Sequence, residues 1–75
     1  MGVAHVLNRR GDTETKWDPD VDVEVQSAEH QFADMVHNKK YLAFRMDPDG
    51  KRGDQLHEFD KMAAAILYVP AMAGG

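Results

Sequence analysis

Only one stretch of this chain repeats its apolar residues with a helical period. Val21, Val25, Ala28, Phe32 and Met35/Val36 recur at alternating spacings of four and three, which at about 100° per residue keeps them in one stripe. His30, Asp34 and His37 project from the opposite side. Asp18-Pro19-Asp20 reads as the entrance, with Asp18 as the cap and proline at the first helical position. The helix is expected to end near Asn38, where Lys39 and Lys40 suit its negative end. A single amphipathic helix buries its stripe only against some other layer, and the remaining sequence supplies strands to build one.

Val3-Ala4-His5-Val6-Leu7 is rich in β-formers, and Asn8-Arg9-Arg10-Gly11-Asp12 follows with turn chemistry. Thr13-Glu14-Thr15-Lys16-Trp17 alternates with period two, so the two runs read as a hairpin. After the helix, Tyr41-Leu42-Ala43-Phe44-Arg45-Met46 reads as a strand. Its bulkier apolar residues, Leu42, Phe44 and Met46, are assigned to the core, and Tyr41, Ala43 and Arg45 to the outside. Asp47-Pro48-Asp49-Gly50 is a strong turn, with a polar loop running on to Asp54, and Gln55-Leu56-His57-Glu58-Phe59 is a short edge strand. Ala65-Ile66-Leu67-Tyr68-Val69 is apolar on both faces, as a strand in the middle of a sheet is, and Pro70 ends its pairing. The order β-β-α-β-(β)-β defines an α+β domain of two layers over residues 1–70, with 71–75 as a detached, flexible tail.

The 75 residues leave room for one domain, and the absence of cysteine excludes disulfides and thiolate metal sites. Nine basic residues against thirteen acidic ones give a net charge of −4, which argues against nucleic acid as a partner. The N-terminus lacks the basic and apolar regions of a signal peptide, and no apolar run reaches the ~20 residues a membrane span needs. A cytoplasmic protein without membrane attachment is expected.

The element order is that of a β-grasp domain, and the chain closes on Ile66-Leu67-Tyr68-Val69-Pro70-Ala71-Met72-Ala73-Gly74-Gly75. Together these resemble the ubiquitin-like proteins and the bacterial sulfur carriers, namely the small subunit of molybdopterin synthase and the thiamine sulfur carrier. Over roughly the last ten residues the likeness is to the carriers; elsewhere it is one of element order. The resemblance implies a protein that is not itself an enzyme and needs no cofactor. A partner adenylating (E1-like) enzyme would activate the Gly75 carboxylate, for delivery to an acceptor protein or a sulfur-receiving enzyme. Gly74 and Gly75 suit a narrow arm that must enter another active site. With Gly75 last, no processing protease is expected. Tyr41, Ala43, Leu67, Val69, Pro70 and Met72 are the expected partner-binding residues. The alternative is a small non-catalytic subunit of a larger assembly, such as a phage particle, whose apolar tail docks on a neighbour.

Other constellations are weaker. Asp18, Asp20, Asp22 and Glu29 fit positions one, three, five and twelve of a calcium loop, but Val23 stands where that loop needs glycine. Asp47, Asp49 and Glu58 repeat the spacing with Lys51 and Arg52 in the wrong places. His30, Asp34 and His37 share a helical face without a second ligand cluster, so no metal is expected. Arg10-Gly11-Asp12 and Arg52-Gly53-Asp54 read as turns rather than as integrin-binding tripeptides.

Overall fold

The computed structural model describes residues 1–8, 11–47 and 49–71, with backbone alone at 8, 11 and 12. Strands β1 (Gly2–Asn8) and β2 (Gly11–Trp17) form the expected hairpin, in register from Asn8↔Gly11 to Gly2↔Trp17. Helix α1 (Asp22–Ala33) runs into a π-helical turn (Asp34–Asn38), followed by β3 (Tyr41–Met46), β4 (Arg52–Leu56) and β5 (Ala65–Pro70). The five strands lie in the order β2-β1-β5-β3-β4, so the strand latest in sequence occupies the centre. It runs parallel to β1 and antiparallel to β3. This position explains why Ala65 to Val69 is apolar on both faces: each face of a central strand is crowded by neighbours.

The helix lies on one face of the sheet, and the stripe read from the sequence is buried from Val25 onward, while Val21 precedes the helix and stays out of the core. Ala28, Phe32 and Met35 are in the core, with Val25 and Val36 packed against it. The sheet answers with Ala4, Val6, Trp17, Ala43, Ile66 and Tyr68. Small residues on β1 and β3 leave space for aromatic rings between the layers. Phe32 meets Tyr68 and Phe59 edge-on, each with centroids 6.1 Å apart, and Phe59 lies 5.3 Å from Trp17. Such tilted pairs set a positive ring edge against a negative face. Trp17 keeps its polar atom satisfied although it is buried, since Nε1 donates to the Lys61 carbonyl at 3.0 Å. The indole also requires glycine at position 2, because a Cβ there would stand 2.1 Å from its ring.

Four local expectations give way. The faces of β3 are reversed: Ala43 is 1% exposed, whereas Leu42 is 37% exposed. Register decides this, because Ala43 pairs with the buried Tyr68 while Leu42 and Phe44 pair with Val69 and Leu67 on the other face. The helix starts at Asp22 rather than at Asp18-Pro19. Asp18 instead builds a turn, accepting the Asp20 N–H on its carboxylate and the Val21 N–H on its carbonyl, and Glu24 reaches back to accept the Asp18 N–H. The edge strand is 52–56, not 55–59, because the preceding turn is tight: Gly50, at φ +85°, donates to the Asp47 carbonyl and Asp47 donates to that of Lys51. That frees Phe59 from any strand and lets it pack, partly buried, against the core. Finally, Arg52-Gly53-Asp54 is strand, not turn.

The reversed faces are testable. Ala43→Leu overpacks the core and is expected to lower stability by about 1–3 kcal/mol, whereas Leu42→Ser on the open face changes it by less than about 1 kcal/mol. Urea denaturation followed by Trp17 fluorescence reads both, and the opposite ranking would restore the sequence-based assignment.

Candidate functional site

Among the described residues, none forms a layer over the face of the sheet turned away from α1. On β5 and β3 it carries Leu67 and Val69 beside Phe44 and Leu42, in the pairs Phe44↔Leu67 and Leu42↔Val69. Val3 and His5 continue it on β1, since His5 pairs with Leu67 and Val3 with Ala65. Charge borders this apolar row on both sides. On the β4 side the Arg52 guanidinium lies over the Phe44 ring, 4.6 Å from its centre, in a cation–π contact. On the β2 side Glu14 sits between His5 Nδ1 at 3.7 Å and Lys16 Nζ at 3.6 Å. The result is a largely apolar strip that runs across β3, β5 and β1, with mixed charge at its rim.

Of the six residues expected to bind a partner, Leu67 and Val69 are on this open face. Ala43 is not: it is buried under the helix, and Tyr41 packs partly buried against the same core. Pro70 pairs with Tyr41 at the end of β5. Met72, Gly74 and Gly75 lie outside the described residues. Leu42, Phe44, Val3 and His5 belong to the face and were missed. For Leu42, Phe44 and His5 the signal was present in Leu67 and Val69, because the residues paired opposite those two point the same way.

Among the described residues no group of three or more His, Asp or Glu stands close enough to hold a metal ion. The first calcium spacing dissolves because Asp22 and Glu29 both belong to α1, and the second because β4 intervenes between Asp49 and Glu58. The His30, Asp34, His37 face is interrupted by the π-helical turn, in which Lys39 donates its backbone N–H to Asp34. The Asp34 side chain is also engaged, accepting from Asn38 Nδ2 at 3.0 Å and pairing with Lys39 Nζ at 3.5 Å. The hydrogen bond from Asn38, helped by the nearby Lys39 charge, holds its carboxyl below the ordinary value of 3.8. Lys40 then leaves the helix at φ +60°, a left-handed exit usually given to glycine. Burial pushes the Tyr68 phenol well up, so it stays protonated and offers no acid–base chemistry near neutrality. Arg52 and Asp54 are held in a strand, with Arg52 committed to Phe44, and this is unlike the exposed turn that presents an integrin ligand. No described helix is long and apolar enough to cross a membrane.

No protein-family model, no curated protein sequence and no solved structure matches the chain. The geometry itself defines the class: a small α+β protein with a five-stranded mixed sheet, one helix on one face and an apolar strip on the other.

The Asp34 contacts give a pH dependence with a definite sign. A carboxyl held below its ordinary value contributes stability above pH 3.8, and that contribution is lost as pH falls through the lowered value. The stability difference between the wild type and Asp34→Asn is therefore expected to be constant near neutrality and to shrink below pH 3.8, as read by urea midpoints at each pH.

Proposed function

We propose that this chain is a β-grasp carrier of the ubiquitin-like or sulfur-carrier kind, activated at the Gly75 carboxylate by a partner adenylating enzyme. The supporting observation is the strand order β2-β1-β5-β3-β4 with β1 and β5 parallel at the centre and one helix across a single face. That arrangement is compatible with a β-grasp fold, and it is the support this reading has. It also sets Pro70 at the end of the central strand, directly before Ala71-Met72-Ala73-Gly74-Gly75 in the sequence.

In this reading the domain recognises and the arm reacts. The strip of Leu42, Phe44, Leu67 and Val69 docks on the partner. The Gly75 carboxylate, as the chain's end or as the end left after trimming, attacks the α-phosphorus of ATP, and pyrophosphate leaves. The sulfur of a donor or of a thiol then attacks the acyl carbon of the acyl-adenylate and AMP leaves, so that the acyl group is carried as a thiocarboxylate precursor or a thioester on the way to an acceptor protein. Glycine at both last positions lets the backbone enter a narrow active site without a Cβ in the way. The compartment that goes with this reading is the cytoplasm, where an ATP-dependent partner would find its substrate.

The open strip also favours a second reading, a non-catalytic subunit that docks on a neighbour in a larger assembly. Two variants separate the readings. Deleting Gly74 and Gly75 is expected to leave thermal unfolding unchanged and to abolish ATP–pyrophosphate exchange across a panel of adenylating enzymes of the carrier and modifier types. Leu67→Lys is expected to weaken that exchange by about tenfold or more with the fold intact, as loss of a central interface contact does. If full-length chain supports no exchange with any of them while Leu67→Lys still releases a bound neighbour, the assembly reading replaces the carrier one.

A further inference from the structure

The two edges of the sheet are built differently. β4 is short, its pairing with β3 slips between Phe44 and Met46, and at Gly53 a Cβ would stand 2.8 Å from the Arg45 carbonyl. A bulged, short strand is a poor template for another chain. β2 runs seven residues in unbroken register and contains no proline.

That register also fixes which β2 backbone groups are already bonded. Asn8 and Gly11 pair across only two intervening residues, so their bridge exchanges both hydrogen bonds. Alternation along an antiparallel ladder then gives the same state to residues 13, 15 and 17. The N–H and C=O groups of Asp12, Glu14 and Lys16 point the other way, toward the open edge. Among the described residues they form a row of donors and acceptors without a strand partner, beside a mixed pair of charges, Glu14 and Lys16, 3.6 Å apart on the outward face.

We propose that β2 pairs antiparallel with β2 of a second copy of this chain, in a register centred on Thr15, so that two sheets join edge to edge. Glu14 then stands opposite Lys16 of the second copy, twice by symmetry, and these are residues whose backbone groups are free to exchange hydrogen bonds. Thr15 faces Thr15 between them, a favourable cross-strand pair. Neighbouring registers fail on charge: centring on Glu14 opposes two glutamates, on Lys16 two lysines, and on Thr13 sets Asp12 against Glu14. Registers centred between residues fail on hydrogen bonding, because they oppose a free group with one already bonded to β1. Charges on an edge ordinarily repel foreign strands. Here their alternation makes the edge complementary to itself, and the contact is independent of the carrier reading.

Sedimentation velocity of the full chain over a dilution series into the millimolar range is the test. The wild type is expected to pass from monomer to dimer. Glu14→Lys and Lys16→Glu, each of which turns both symmetric pairs into like charges, are expected to weaken the dimer about tenfold or more. An equimolar mixture of the two variants is expected to recover association, because each copy then presents the sign the other lacks. Circular dichroism and Trp17 fluorescence verify that both variants fold. A wild type that stays monomeric throughout, variants that dimerise as it does, or a mixture that does not associate would each overturn the proposal.

Discussion

The contact between Phe32 on the helix and Tyr68 on the central strand holds the two layers to each other. Both rings are fully in the core, and Phe59 and Trp17 extend the cluster toward the start of β1. Every strand is arranged around it. β1 and β3 contribute alanines, Ala4 and Ala43, where the rings need room, and Gly2 yields its side chain altogether to Trp17. A core this small has few residues to spare, so size matching matters as much as hydrophobicity.

That requirement marks the limit of what could be read from the sequence. The helix was legible because five apolar positions agree on one period, and β5 because it is apolar on both faces in a chain with one helix to cover only one of them. β3 was misread because Leu42, Phe44 and Met46 outweigh Tyr41, Ala43 and Arg45 in hydrophobicity. An alanine opposite a buried tyrosine is a fact of pairing, and pairing is not written in either strand alone. The helix start slipped because Asp18-Pro19-Asp20 carries the same chemistry for a turn as for a cap. β4 slipped because Arg52-Gly53-Asp54 has the composition of a loop, while its extended conformation comes from lying beside β3.

The candidate site follows the same division. Leu67 and Val69 were legible as outward residues of a central strand. Their partners across the ladder, Leu42 and Phe44, became visible only with the register, and the Arg52 guanidinium over Phe44 only with the position of β4. The open strip is thus a product of topology: placing β5 between β1 and β3 brings together apolar residues that are far apart in sequence.

The parallel pairing of β1 with β5 has a consequence for the order of events during synthesis. Val3 to Val6 find their partners only at Ala65 to Tyr68, so the first strand made must wait for the last. A nascent chain short of residue 65 can form the hairpin and the helix, but its Ala4 and Val6 lack one wall of the core. Contacts of such long sequence separation are entropically expensive to close. The molecule is therefore one cooperative unit whose sheet becomes continuous when β5 slides into the gap, and until that moment the edges of β1 and β3 are open to any other strand nearby.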